Sequence, residues 1–159
     1  MAVDTFAKIG DIKGESFDLK HKDEIEVLSY SWGVSNTPSG GGGGGGGAGR
    51  PTFPDLVISH TLDKASPALM LACANGEHIK EATITQRKAG KEQQEYFIIK
   101  MQDVIITGVT HGGSGDAAPL EHVSMQFAKV DIEYKPQKAD GSLGAGVFFK
   151  YDLKHNKAG

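Results

Sequence analysis

The residues of this chain that could do chemistry are few and badly arranged for it. Ser114 sits in Gly112-Gly113-Ser114-Gly115-Asp116, close to a nucleophile elbow, the strand-to-helix turn that lifts a serine Oγ for attack on a carbonyl. The elbow needs glycine two residues after the serine; that position is Asp116, and the strand-to-helix context is missing. From Gly44 to Gly49 the glycines are spaced as in a phosphate-cradling loop. Arg50-Pro51 stands where Lys-Ser/Thr would reach the phosphates and a magnesium ion. Six histidines (His21, His60, His78, His111, His122, His155) fall at no metal-ligand spacing, and each reads as a surface or satisfied core residue. Glu15, Glu24 and Glu26 resemble a carboxylate cluster, but a solvated strand edge accounts for them as well. Cys73 is the single cysteine; with no charged neighbour it reads as a small buried thiol, not a nucleophile. The expectation is a protein that is not an enzyme and uses no cofactor and no metal.

The elements around these residues are mostly strands. Glu24 to Val34, EIEVLSYSWGV, alternates as a strand does. One face carries Leu28, Tyr30, Trp32 and Val34, which reads as core. The other carries Ile25 and Val27, then shrinks to Ser29, Ser31 and Gly33. Val3 to Ile12 is a first strand, and the charged run His21 to Glu24 a solvated lead-in. In Asp55 to Leu62, Leu56, Ile58, His60 and Leu62 share one face and Val57, Ser59 and Thr61 the other; the β-branched content favours a strand. Residues 66–75 form the one convincing helix. Ser66 suits its N-cap, Pro67 its first position, and Asn75-Gly76 its end. Its apolar body must be buried or clamped. Ala82 to Lys88, Glu95 to Thr110, Glu121 to Lys135 and Val147 to Leu153 complete the strands. Two of these run to about 15 residues, well beyond the usual length. Both change the parity of their apolar residues midway, after Gln102-Asp103 in one and between Phe127 and Val130 in the other, as a bulged and bent strand does. Long bent strands turn the corners of barrels. The fold class is mainly β: a β-barrel of two sheets, or a barrel-like sandwich, with one short flanking α-helix and a long glycine-rich loop.

That loop, residues 35–51, contains Gly40, Gly41, Gly42, Gly43, Gly44, Gly45, Gly46 and Gly47 without interruption. About 16 glycine-rich residues span roughly 20–25 Å as a coil and about 50 Å when extended. It reads either as a plain surface insertion or as an arm that touches a neighbouring subunit.

At 159 residues the length fits one domain, 1–159. With 17 Lys+Arg against 20 Asp+Glu and no basic block, a nucleic-acid partner is not expected. No apolar run suits a membrane helix, so membrane insertion is not expected either. MAVDTFAKIGD lacks the apolar region of a secretory signal. The expected location is the cytoplasm during assembly, with any export by a route that ignores N-terminal signals.

KIGDIKGES (Lys8 to Ser16) and EIEVLSYSWGVSN (Glu24 to Asn36) resemble the haemolysin-coregulated protein family, Hcp, of bacterial type VI secretion. So do LDKASPALMLACANGEHI (Leu62 to Ile79), ATITQRKAGKEQQEYFIIKMQDVIITGV (Ala82 to Val109) and VSMQFAKVDIEYKPQKADG (Val123 to Gly141). The likeness covers nearly the whole chain. It implies a β-barrel flanked by a helix, homohexameric rings, and head-to-tail stacking into a tube. It implies further partners: a VgrG-type spike protein at the tip, a contractile sheath that propels the tube, and small effector proteins held in its channel. On that picture Ser29 and Ser31 are expected to line the channel, the alternative being that they pack inside the barrel as hydrogen-bonded small residues; the glycines from Gly40 to Gly47 are expected to reach the next ring. The rival reading is a stand-alone secreted β-sandwich binding module, which predicts a monomer or dimer with a pocket of exposed aromatics. A hydrolase on the same barrel lacks a converging nucleophile and base, and no enzymatic extension is expected after Gly159.

Overall fold

The structure, a computed structural model, describes residues 2–38, 49–89 and 93–159. In chain order the strands are β1 (Val3–Ile9), β2 (Ile25–Glu26), β3 (Ser29–Ser31), β4 (Ser35–Asn36), β5 (Pro51–Thr52) and β6 (Leu56–Thr61). Helix α1 (Ala65–Asn75) follows, then β7 (His78–Lys88), β8 (Gln94–Ser114), β9 (Ala117–Tyr134), β10 (Val147–Asp152) and β11 (Lys157–Ala158). Nine strands form one sheet along the path β11-β10-β9-β8-β7-β1-β2, with β3 and β6 branching from β9; β4 and β5 form a separate two-stranded ribbon.

The sheet curls toward a barrel without closing as one continuous ladder. β2 pairs with β1 and β3 pairs with β6, so the short segment from Ile25 to Ser31 changes partner midway. Two backbone bonds bridge the gap: the Val27 N–H donates to Thr5 O at 2.9 Å and the Leu28 N–H to Ser59 O at 2.8 Å. Changing partner also changes which side faces inward. Ile25 and Val27 are buried, whereas Leu28 is 66% exposed and Val34 is exposed. The expectation that Leu28 and Val34 belong to the core is therefore corrected. Tyr30 and Trp32 pack against the core but stay half-buried.

The parity change in the long strands is real, with a different cause from a simple bulge. Met101 and Val104 in β8, and Phe127 and Val130 in β9, are all buried. Yet Gln102 pairs with Lys129 and Val104 with Phe127, so no residue is inserted there. β7 makes the same change, burying Ile79 and Ala82. Three neighbouring strands change their buried face along one line, and Asp103 sits in the left-handed region (φ 54°) at its middle, a conformation aspartate tolerates better than most residues. The register shifts lie elsewhere, at Gln86/Arg87, Ile106/Gly108 and Gly112/Ser114.

Helix α1 begins one residue before the expected start and is capped differently. Asp63 Oδ1 accepts the Ala65 N–H at 2.8 Å, while the Ser66 hydroxyl oxygen accepts the Asp63 N–H at 3.2 Å. Glu15 reaches from the β1–β2 loop to accept the Lys64 N–H at 2.9 Å. Gly76 ends the helix in the left-handed conformation, with its N–H and that of Glu77 satisfying the last carbonyls. Leu69 and Ala72 seat the helix on the core, and Cys73 lies half-buried beside them.

Candidate functional site

The surface that the sequence singled out is a smooth polar wall built from four strands. Across β3, β6, β9 and β8, Ser29, Ser59, His122 and Thr110 form one row, and Ser31, Val57, Ser124 and Gly108 the next. Directly paired residues in a sheet share a face, and the opposite face of these strands is core: Leu56, Ile58, His60, Val123 and Met125 are all buried. Neither row contains a lysine, arginine, aspartate or glutamate. Ser29 and Ser31 are exposed, and the Ser59 hydroxyl shares a 2.7 Å hydrogen bond with His122 Nδ1. At the wall's edge Asp55 accepts bonds from Thr107 and Gln126, both at 2.7 Å. Sequence reasoning named only Ser29 and Ser31. Ser59, His122, Ser124 and Gly108 belong with them, and the alternation of Val57, Ser59 and Thr61 was the signal that could have located the wall.

Beneath the wall lies a buried polar pair. His60 Nε2 meets Glu121 Oε1 at 2.8 Å, and Asp63 Oδ2 stands 3.7 Å from His60 Nδ1. His60 and Glu121 are inaccessible to solvent, and burial pushes the Asp63 carboxyl above its ordinary range. The pair joins β6 to β9 at the base of α1, so His60 is a core histidine, but satisfied only at Nε2: among the described residues His60 Nδ1 and Glu121 Oε2 have no hydrogen-bond partner.

The loop from Gly10 to Glu24 folds back as a strap over the far side of the sheet. Its ends are tied by Gly14 N–H to Asp23 O at 2.7 Å, and by Ser16 N–H to Glu24 O at 3.0 Å. Arg87 on β7 is buried beneath it and donates through both terminal nitrogens to Asp18, the Nη1–Oδ1 bond being 2.9 Å. That pair lowers the Asp18 carboxyl from 3.8 to about 2 and raises the guanidinium. Phe6 lies between Arg87, whose guanidinium carbon is 4.8 Å from the ring centre, and His21, which stacks on it at 4.5 Å. His21 also meets Glu24 at 2.9 Å and Glu95 at 2.7 Å. The expectation that His21 to Glu24 is solvated is corrected for His21, which is buried; Lys22 is exposed, and Asp23 and Glu24 are half-buried.

The glycines Gly40 to Gly47 lie outside the described residues. The base of their loop is a ribbon in which Ser35 pairs with Thr52 and Asn36 with Pro51. Asn36 Nδ2 donates to Gly49 O at 2.8 Å, clamping the chain as it leaves and returns. Near the ribbon, Trp32 Nε1 donates to Pro54 O at 3.0 Å and its ring stacks on Phe53. Between β3 and the inner face of β8, β9 and β10 opens an apolar cleft of about 270 Å³, lined by Tyr30, Trp32, Val34, Phe97, Ile99, Ile132 and Phe149. Burial raises the Tyr30 hydroxyl above its usual value.

Two larger clefts, of about 760 and 880 Å³, have mixed linings; in the first, Lys8, Lys13, Lys64 and Lys80 face Asp11, Glu77 and Glu81. Ser114 is exposed at the tip of the β8–β9 hairpin, between two strands rather than before a helix. Among the described residues no group of three or more His, Cys, Asp or Glu is placed to hold a metal ion, and no helix is long and apolar enough to cross a membrane.

Known proteins share this architecture. A family profile described as "Type VI secretion system effector, Hcp" matches residues 6–134. The chain is 48% identical over 159 residues to Protein hcp1 of Pseudomonas aeruginosa, covering 98% of both. It is 25% identical over 143 residues to the Major exported protein of the same organism, covering 83% of this chain and 81% of that one. The crystal structure of Hcp1 from Salmonella typhimurium aligns with a TM-score of 0.80 at 37% identity, covering 99% of each chain.

Proposed function

The chain belongs to the Hcp family of type VI secretion, and from that premise we propose that it is a ring-forming tube subunit whose work is mechanical and involves no bond chemistry. Six copies close a hollow ring, rings stack head to tail, and the tube is propelled by a contractile sheath behind a VgrG-type spike. Small effector proteins travel in the channel, and the tube leaves the cell with them.

The observation that carries this reading is the two-row wall of small uncharged groups around Ser29 and Ser31. The solvated face of an antiparallel sheet is commonly polar, and here neither row includes a carboxylate, lysine or arginine. A face bordering a channel needs short groups that leave room for cargo and offer hydrogen bonds without fixing one partner. Ser29, Ser31, Ser59 and Ser124 meet both needs. Gly108 adds to the flatness, since a Cβ there would stand 2.7 Å from Ser124 Oγ. The loop containing Gly40 to Gly47 is the proposed contact with the next ring, carried on the β4–β5 ribbon. Rings must outlast stacks if a tube is to form on a template and fall apart outside, so the ring interface is expected to bury the more apolar surface.

Negative-stain imaging with sedimentation across a dilution series tests this. Hollow six-fold particles that outlast their stacks on dilution are expected. A single small species at every concentration would overturn the assembly and favour a free-standing binding module. Stacks that persist while rings dissolve would reverse the order of the interfaces.

A further inference from the structure

The strap carries two side chains with no role in its own fold. Phe17 is 93% exposed and Leu19 is 98% exposed, and they flank Asp18, the most firmly held residue of the loop. Asp18 is gripped by Arg87, its Oδ1 accepts the N–H groups of Lys20 at 3.0 Å and His21 at 3.2 Å, and its own N–H donates to Ser16 Oγ at 3.2 Å. A flexible loop would lose much of the gain from burying two apolar side chains to the cost of ordering itself. This loop is ordered beforehand, which is how a binding element keeps that gain. Isolated exposed apolar residues need no explanation, but two of them, on either side of a buried ion pair, form a rigid projection.

The same molecule carries a hole of matching chemistry. The cleft of about 270 Å³ is lined by aromatic and aliphatic groups, and a dry apolar cavity of roughly 150 Å³ already accommodates a benzene ring. Its mouth keeps Val34 and Phe149 partly exposed. The register places projection and hole on opposite faces of one sheet. Ala7, Ile84, Ile99, Ile132 and Phe149 form a row on the inner face, where the cleft opens. Phe6, Thr85 and Ile98 form the adjacent row on the outer face, and the strap lies over that side, with His21 stacked on Phe6.

We propose that Phe17 and Leu19 of one copy enter the cleft bounded by Tyr30, Trp32, Val34, Ile132 and Phe149 of the next, making the strap a front-to-back coupling between subunits. The inference rests on the self-assembly proposed above and assigns one of its contacts. A projection that meets a hole elsewhere on the same surface gives a heterologous contact, which repeats from copy to copy and closes into a ring or extends into a filament as the rotation dictates. Apolar side chains seated in a pocket are also where binding energy concentrates.

Paired cysteines test it. In a Cys73→Ala background, Leu19→Cys and Val34→Cys chains are prepared separately, mixed, and oxidised at a concentration where the unmodified protein assembles. Disulfides joining Leu19→Cys to Val34→Cys chains, and a covalent ladder from a chain carrying both changes, are expected. Leu19→Cys chains joined to one another would overturn the proposal by making the contact isologous. Absence of mixed cross-links in a protein that still assembles would overturn it too. A Phe17→Ser/Leu19→Ser chain supplies the second measurement: its half-assembly concentration by sedimentation should rise about tenfold or more, the loss of one well-seated anchor. Unchanged assembly would remove the coupling and leave the tube reading standing, as it would if the projection serves a different protein. An unmodified chain that never assembles would remove both.

Discussion

The strap and the wall are both polar surfaces on one curved sheet, and they are made in opposite ways. The strap gathers ionisable groups and covers them in part: Arg87 and His21 are buried, Asp18, Glu24 and Glu95 half-buried, and all five form one connected group beside Phe6. The wall spreads small neutral groups over two rows and leaves most of them in contact with solvent. Buried charge is costly unless every member has a partner, so removing one partner leaves the other stranded. Small exposed hydroxyls carry little such debt. The ion pair that anchors the strap should therefore govern whether the subunit keeps its shape, whereas changes on the wall should leave the shape alone and alter only what meets the wall.

The sharpest break of that contrast is Asp18→Ala. Among the described residues it leaves Arg87 buried with Asp4 as its remaining carboxylate, at 3.6 Å from Nε. A loss of roughly 3 kcal/mol is expected, read as a lower urea midpoint with an unchanged slope. A loss within experimental scatter would place the strap among ordinary surface loops. Gly14→Ala should come next, at about 2 kcal/mol. A Cβ at Gly14 would stand 2.5 Å from Glu24 O and 2.9 Å from Ile25 Cα, so backbone rather than a yielding side chain must move. A smaller midpoint shift on the same urea curve would show that the strap's two ends give way easily.

Acid supplies a graded version of the same test. The Asp18 carboxyl is held at about 2 instead of 3.8 because Arg87 donates to it. The folded state thus binds that proton less readily than the unfolded chain. The stabilisation is complete above pH 3.8, declines as the pH falls, and is gone below about 2. Asp140 and Asp152 are also held low, by Ser142 and His155, and lean the same way. Unfolding followed between pH 6 and 2 should show a steeper acid loss in the unmodified protein than in Asp18→Ala. Parallel curves would mean that the pair does not carry the linkage.

What could be read in advance follows the same division. The wall was legible because alternation is local: Leu56, Ile58 and His60 against Val57, Ser59 and Thr61 need only neighbouring residues to interpret. Parity changes near Gln102 and Ala128 were legible for the same reason, although their occurring without an inserted residue, in register across three strands, was not. Leu28 was misplaced because its segment leaves β1 for β6 at that point, and no local pattern encodes a change of partner. His21 was misplaced because Phe6 and Glu95, which bury it, are far away in sequence. Helix α1 was found, but its cap was assigned to Ser66 because the reciprocal bonds of Asp63 and Ser66 depend on where the chain leaves β6.

Ser31→Gln is the mildest perturbation and the one that separates shape from contact. Ser31 is exposed and pairs with Val57, so stability should change by no more than about 0.5 kcal/mol. Rings should form as before. Glutamine is longer, and on a wall of serines it would both narrow a channel and add a competing amide. Retention of a small co-expressed effector through size-exclusion chromatography should therefore fall while the ring peak stays in place. Retention equal to the unmodified protein, with rings intact, would take Ser31 off the channel wall. A loss of rings would instead place it at a subunit boundary and tie the wall, like the strap, to assembly.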